Sequence, residues 1–103
     1  MKIDPRAQKQ IIHILTNIFP GVFIYYYGNK AHESEIDGKQ PELDIALDLG
    51  RRIGTKDIAV AQQALSETHI PYTIYLYDLN SVSESERKNI IAKAEPWKLE
   101  PFV

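Results

Sequence analysis

Hydrophobic residues in the first twenty positions recur at the spacing of an α-helix. They place an apolar stripe on one side of the helix: Ala7, Ile11, Ile14, Leu15 and Ile18. Asp4 and Pro5 are typical of a helix start, because aspartate accepts hydrogen bonds from free N–H groups and proline fits the first turn. Pro20 and Gly21 follow, so we predict that the helix ends there.

Three later segments are predicted as β-strands. Residues 22–27 (VFIYYY) are all β-branched or aromatic, which indicates a strand that is apolar on both faces and central in its sheet. Residues 42–49 (ELDIALDL) alternate acid or alanine with aliphatic residues, which predicts a strand with one buried face. Residues 72–77 (YTIYLY) form the third strand, with its tyrosines 75 and 77 facing away from Ile74 and Leu76.

Two further helices complete the predicted order of elements. Thr55 is expected to cap a helix that runs to about His69, and Ser83 has capping-box spacing to Glu86 at the start of the last helix. We also expect a short helix after Gly28 and a turn at residues 37–38. The chain is therefore predicted to be an α/β (α+β) domain over residues 1–95, with a C-terminal tail over residues 96–103. Its small mixed β-sheet has at least three strands and is flanked by helices.

The composition excludes several classes of protein and of functional site. The chain has 103 residues, of which 44% are hydrophobic, enough for one small domain with its own core. Its net charge of −2 argues against a broad electrostatic footprint for duplex nucleic acid. The absence of cysteine excludes disulfides and thiolate metal sites. No apolar run approaches membrane-spanning length and no signal peptide is visible, so we expect a soluble, cytoplasmic protein.

The strongest candidate chemistry lies between residues 28 and 44. Glu42 and Asp44 stand two apart on a predicted strand, so their carboxylates project from one face and could bind a hard cation such as Mg²⁺. Gly28 follows the first strand, where backbone N–H groups can bind phosphates. The alternative is that Glu42, Asp44 and Asp48 form the solvated face of an edge strand. Spacing alone favours that alternative, because such alternation is common.

Other polar groups carry weaker signals. Glu35 and Asp37 form a second acid pair, but the hydrophilic residues 38–40 follow directly, so no strand anchors the pair and we predict a turn there. The three histidines are scattered and expected to be structural or exposed: His13, His32 and His69. For the six tyrosines, core packing is the default and a base-stacking platform is the alternative.

Three segments together resemble the minimal nucleotidyltransferases of the DNA polymerase beta superfamily. "YYYGN" (25–29) looks like that family's Gly-Ser strand end, and "PELDIAL" (41–47) looks like its Asp-x-Asp strand. "ALSETHIPYTIYLYDLNSVSESERKNII" (64–91) resembles its C-terminal half, with a helix, a third strand, an Asp and a last helix. The resemblance spans residues 8–95 and implies the nucleotidyltransferase fold.

The resemblance also assigns roles to single residues. It implies that Gly28, Asn29 and Lys30 contact nucleotide phosphates, with Asn29 in place of the family serine. Glu42, in place of the first Asp, and Asp44 would be the catalytic acids and metal ligands. The third carboxylate position falls on Tyr75, whereas Asp78 matches a separate, non-catalytic acid. A phenol has an ordinary pKa of about 10 and offers no charged ligand near neutral pH, so we expect weak or absent catalysis.

Three functions are compatible with this pattern. The resemblance implies first an antitoxin-like partner of a small helical HEPN-type protein, acting mainly by protein contact in a hetero- or homo-oligomer. The second is an active Mg²⁺-dependent enzyme that moves a nucleoside monophosphate from ATP or another NTP to a hydroxyl on protein or nucleic acid. The third is a nucleotide-binding module without transfer. Trp97 and Phe102 could contact a partner, although a tail packed on its own domain is the favoured interpretation.

Overall fold

The computed structural model of the protein describes residues 3–27 and 41–98. Three helices and four strands lie in these ranges, in the order α1 Pro5–Ile18, β1 Phe23–Tyr26, β2 Glu42–Asp48, α2 Thr55–Ser66, β3 Thr73–Asp78, α3 Glu84–Lys93 and β4 Glu95–Lys98. None of the helices in these ranges has the length and apolar character that a membrane crossing requires.

The strands form one mixed sheet in the order β3-β2-β1-β4. The central pair, β1 and β2, is antiparallel, and β4 is antiparallel to β1. β3 runs parallel to β2, because α2 connects the two strands as a crossover helix. The predicted fold class is confirmed, and so is the prediction that the first strand is internal to its sheet.

The main core lies between one face of this sheet and the pair α1 and α2. Side chains from the sheet and from both helices are fully buried there, among them Ile11, Leu15, Ile24, Leu43, Ile45, Leu47 and Ala61. The predicted start of α1 is confirmed, since the side chain of Asp4 accepts a hydrogen bond from the N–H of Arg6 at 3.1 Å. Gly21 lies in the turn between α1 and β1 and has a φ of 84°, a conformation that glycine adopts readily. α2 begins one residue before the prediction, with Gly54 rather than Thr55 at the N-cap.

The opposite face of the sheet carries a much thinner cover. A small cluster of Tyr25, Ala46 and Leu79 is buried there, with Phe23, Ile90 and Ala94 packed against it. α3 begins at Ser83, whose hydroxyl accepts from the N–H of Glu86 at 3.1 Å, as the capping-box spacing predicts. No residue of α3 is buried, however, and Ile91 is 36% exposed. Only part of this face is therefore shielded by the described residues.

β2 is more deeply buried than its alternation predicts. All five residues from Leu43 to Leu47 are buried, including Asp44 and Ala46 on the face predicted to be solvated. The prediction of one buried face, and the alternative of an edge strand, are both wrong. The reason is the strand's position: β1 and β3 flank it on either side, and their side chains cover its polar face as well as its apolar one.

The chain joins the sheet again after α3, although a tail was expected from residue 96. Glu95–Lys98 form β4, and Trp97 stacks on Tyr26 with ring centroids 5.3 Å apart. Pro96 ends α3 as expected but does not end the folded domain, because proline is tolerated on an edge strand that needs no outward N–H. The buried Lys98 ammonium donates to the carbonyl of Val22 at 3.0 Å. The interpretation that Trp97 packs on its own domain is confirmed, while Phe102 lies outside the described residues.

Replacing Trp97 with alanine tests whether β4 belongs to the folded domain. We expect W97A to lower the free energy of unfolding by about 2–3 kcal/mol, since it removes a half-buried aromatic ring and its stacking contact with Tyr26. Val60, which is 59% exposed on α2, provides the control, and V60A should change stability by less than about 0.5 kcal/mol. Urea denaturation of both variants gives the comparison. Equal stability of W97A and wild type would show that residues 95–98 are a tail.

Candidate active site

The two predicted catalytic acids lie on the thinly covered face of the sheet. Glu42 and Asp44 occupy alternate positions of β2, and the parallel register sets Asp44 opposite Tyr75 and Ala46 opposite Tyr77. Residues that are opposite each other on neighbouring strands, about 4.8 Å apart, project from the same face. Both tyrosines therefore stand beside the carboxylates.

Each carboxylate accepts a hydrogen bond from a tyrosine hydroxyl. Tyr75 donates to Glu42, and Tyr77 donates to Asp44 at 3.2 Å. Asp44 is only 5% exposed, whereas the tyrosines are 41% and 45% exposed. The acids thus form the floor of this site, and the aromatic rings form a wall that reaches solvent. We refer to Glu42, Asp44, Tyr75 and Tyr77 as the acid–tyrosine cluster.

The carboxylates raise the pKa of both phenols. The hydrogen bond to Glu42, followed by the negative charge of Glu42, raises the pKa of Tyr75. Partial burial, followed by the negative charge of Asp44, raises the pKa of Tyr77. A phenolate next to these acids would add like charge to like charge. Both tyrosines therefore remain neutral hydrogen-bond donors throughout the physiological range.

The cluster does not fit a two-metal centre. Such a centre needs several anionic oxygen ligands around ions about 3.5–4 Å apart. Besides Glu42 and Asp44, β2 brings Asp48 to this face, but Asp48 lies at the far end of the strand and is bonded to Gly50 and Asn80. The described residues contain no group of three His, Cys, Asp or Glu side chains placed to hold an ion. Part of the ligand capacity of Glu42 and Asp44 is already used by phenol hydroxyls. The metal-binding role of these two acids stays a prediction.

Gln62 on α2 holds the outer edge of β3 and so fixes the position of Tyr75. Its side-chain amide donates to the carbonyl of Ile74 at 2.7 Å and accepts from the N–H of Leu76 at 2.9 Å. The amide thus pairs with the strand as a peptide group of a further strand would. These two bonds lie on either side of Tyr75 and restrain the backbone that carries its side chain. The sequence gives no signal for this contact, because it depends on how α2 crosses the sheet.

Asp78 has a structural role that agrees with the non-catalytic position implied by the resemblance. Its buried carboxylate accepts from the N–H of Ile53 at 2.8 Å and from the N–H of Asn80 at 2.9 Å. It lies at the end of β3 on the same side as Ile74 and Leu76, which is the side of the main core. Asp78 thereby ties the β2–α2 loop to β3 and does not join the acid–tyrosine cluster.

A second polar group lies at the other end of β2. Asp48 accepts from the N–H of Gly50 at 2.9 Å and from the side-chain amide of Asn80 at 2.8 Å. Asn80 in turn accepts from Arg87 of α3 at 3.3 Å. Gly50 has a φ of 77°, which allows the chain to turn back toward Asp48. These bonds attach the start of α3 to the sheet.

Several sequence-predicted residues lie outside the described ranges. They are the phosphate-binding candidates Gly28, Asn29 and Lys30, the rival acids Glu35 and Asp37, and His32. The other two histidines, His13 and His69, are exposed as expected. The role of Tyr77 beside Asp44 was not predicted from the sequence. Its alternation with Tyr75 on one strand face was a signal that could have indicated it.

This arrangement of helices and strands is the nucleotidyltransferase fold. No family model and no curated protein matches the chain, but solved structures do. A chain of the MntA–HepT toxin–antitoxin crystal structure has a TM-score of 0.68 at 18% identity, with 91% of this chain and 71% of that chain covered. A toxin–antitoxin structure with AMP-PNP gives 0.68 at 19% identity, with coverage of 87% and 71%.

Another similar structure comes from Shewanella oneidensis. It contains a tri-AMPylated HEPN toxin in complex with an MNT antitoxin, and its TM-score is 0.67 at 18% identity, with 89% of this chain and 69% of that chain covered. A mutant of the MntA pair with two Asp-to-Glu substitutions also matches, with a TM-score of 0.67 at 19% identity and coverage of 87% and 70%. At these identities the likeness establishes the fold. The nucleotidyltransferase fold expected from the sequence resemblance is confirmed.

Alkaline titration should reveal the hydroxyl–carboxylate pairs. Because the folded pKa of Tyr77 is raised above its unfolded value of about 10, its contribution to stability is complete below pH 10 and is lost above it. We expect Y77F to be less stable than wild type by up to about 1 kcal/mol at neutral pH, with a difference that shrinks as pH rises past 10. Urea denaturation across this range measures it.

The variant D44N provides the control for this titration. Without the charge of Asp44, the pKa of Tyr77 should move back toward its ordinary value. The near-ultraviolet absorbance of phenolate should then appear at lower pH in D44N than in wild type. Identical phenolate titrations of the two proteins would contradict the pairing of Tyr77 with Asp44.

Replacing Tyr75 with aspartate should create a cation site. The substitution releases Glu42 from its phenol and sets a third carboxylate directly opposite Asp44. Hard cations bind such oxygen clusters, so we expect Y75D to bind Mn²⁺ at least about tenfold more tightly than wild type. Y75N matches the variant in size and lacks the charge. If Y75N and Y75D bind Mn²⁺ equally in calorimetry, position 75 does not face the two acids.

Proposed function

We propose that this protein is an antitoxin-like binding partner of a small helical HEPN-type toxin and acts mainly by protein contact. The observation that supports the proposal is the acid–tyrosine cluster. It stands on a nucleotidyltransferase frame similar to chains of MntA–HepT and MNT–HEPN complexes, with its two acids bonded to phenols rather than joined by a third acid.

The physical argument concerns charge at the site. Phosphoryl transfer depends on positive metal charge placed next to the reacting phosphate, and anionic ligands must hold that charge. Tyr75 is a neutral donor in the position that the resemblance assigns to an anionic ligand. The packed core stabilises the scaffold and does not depend on an anionic ligand at position 75. Binding of a protein partner requires the scaffold alone.

A second candidate is an active Mg²⁺-dependent nucleotidyltransferase that moves a nucleoside monophosphate from ATP or another NTP to a protein or nucleic-acid hydroxyl. The similarity to a structure with AMP-PNP and to a complex that contains a tri-AMPylated toxin favours it. Glu42 and Asp44 would be its catalytic acids and metal ligands, and Gly28, Asn29 and Lys30 would contact the phosphates. A protein that binds the nucleotide but does not transfer it would lie between these two candidates.

Co-expression with a HEPN-type protein encoded beside this chain tests the proposal. We expect the two proteins to co-purify as a complex with a Kd of about 1 μM or tighter, and we expect the complex to form equally well without ATP and with divalent cations chelated, because contact rather than chemistry is required. Light scattering and calorimetry measure assembly and affinity. Wild-type protein that forms no complex at micromolar concentration would contradict the proposal.

Labelled ATP separates the two candidates in the same preparation. If the protein acts by contact alone, no label should appear on the toxin with wild type or with D44N, in the presence of either Mg²⁺ or Mn²⁺. Label that appears with wild type and disappears with D44N would establish the transferase instead. Calorimetry with ATP and Mg²⁺ shows whether nucleotide binding persists without transfer.

A further inference from the structure

A cavity of about 250 Å³ lies on the thinly covered face of the sheet, beneath α3. Its walls are largely aliphatic and aromatic, and they include Ala46, Tyr77, Leu79, Val82 and Ile90. An apolar cavity of about 150 Å³ is enough to hold a benzene ring. The opening under α3 is therefore large enough for a whole apolar side chain.

The cover over this cavity is loosely attached. α3 has no buried residue, and Ile90 is only half-buried although it faces the small cluster of Tyr25, Ala46 and Leu79. Interiors are normally packed without voids of this size. Ile90 and Val82 remain partly accessible at the rim, so an apolar group from outside would bury more of both.

The surroundings of the cavity are acidic. Glu86 belongs to its lining, and none of the lining residues is a lysine or arginine. Asp78 also borders the cavity, but its carboxylate is bonded to the N–H groups of Ile53 and Asn80 on the main-core side. Tyr77 belongs to the lining and also donates to Asp44, so the acid–tyrosine cluster borders the cavity directly. The carboxylates and the exposed tyrosine rings both attract a cation, the rings through their negative faces.

We infer that the cavity and the acid–tyrosine cluster together receive a protein segment that presents an apolar side chain next to an arginine or lysine. The apolar side chain enters the space beneath α3, and the cation lies between Glu86 and the ring of Tyr77, next to Asp44. This inference rests on the proposed function, because the segment belongs to the HEPN-type partner. The charge of this surface favours a basic protein segment over a nucleotide. Carboxylates would repel the phosphates of a nucleotide, whereas they attract an arginine or lysine.

Two pairs of variants on α3 test this surface with purified partner. Glu86 lines the cavity, whereas Glu84 shares its turn but pairs with Lys88 in solvent at 3.5 Å. Both acids lie in the first turn of α3, so reversal of either charge opposes the helix dipole in the same way, and E84K additionally loses the pair with Lys88. E86K should weaken binding at least about tenfold and E84K less than about threefold, because only the former faces the incoming cation. Higher salt should weaken wild-type binding more than E86K binding.

The second pair tests the apolar part of the surface. Ile90 lines the cavity, and its neighbour Ile91 is 36% exposed and points elsewhere. I90S should weaken binding about tenfold and I91S less than about threefold, since an anchor buried in a pocket contributes more than a rim residue. Circular dichroism melts of all four variants establish that each one is folded at the temperature of the binding measurement.

The outcomes distinguish this inference from the function on which it rests. If wild-type protein binds no HEPN-type partner, both fail. If the complex forms and E86K and I90S bind as tightly as E84K and I91S, the partner uses another surface and only this inference is overturned. If E86K and I90S change ATP binding while the complex is unaffected, the cavity is a nucleotide site and the inference is likewise overturned.

Discussion

The parallel pairing of β2 with β3 is the constraint on which the site depends. It sets Tyr75 opposite Asp44 and Tyr77 opposite Ala46, so two phenols and two carboxylates share one face. α2 enforces the pairing from outside, because the amide of Gln62 bonds to the edge of β3 on both sides of Tyr75. From the opposite end, the carboxylate of Asp78 ties β3 to the loop that follows β2. A shift of one residue in this register would turn the tyrosines to the other face.

This pairing is the physical basis of the proposal that the nucleotidyltransferase frame here acts by contact rather than by chemistry. Asp44 is nearly buried and is bonded by a neutral donor, a stable arrangement in which no cation is needed to satisfy the carboxylate. The tyrosine rings remain exposed beside a cavity that α3 leaves open. The same residues that weaken a metal site therefore create an aromatic and acidic surface.

The sequence predicted the fold more fully than the site. Unbroken apolar character identified β1 as internal, and alternation set Tyr75 and Tyr77 on one face of β3 and Glu42 and Asp44 on one face of β2. Alternation alone does not say which strands pair or in which register, so the bonds between phenols and carboxylates could not be derived. The deep burial of Asp44 was missed for the same reason, because it follows from neighbouring strands rather than from β2 itself. β4 was missed because Pro96 ends a helix and also begins a short edge strand, and local pattern cannot separate these cases.

The central claim is that Glu42 and Asp44 serve as acceptors for tyrosine hydroxyls and not as ligands of a catalytic metal pair. A crystal structure of the wild-type protein grown with Mn²⁺ and a non-hydrolysable ATP analogue tests it most directly, because anomalous scattering locates manganese without ambiguity. The account predicts that the hydroxyls of Tyr75 and Tyr77 remain on Glu42 and Asp44, with no anomalous peak between the two acids. Two manganese ions bound by both carboxylates, with the tyrosines turned away, would contradict it.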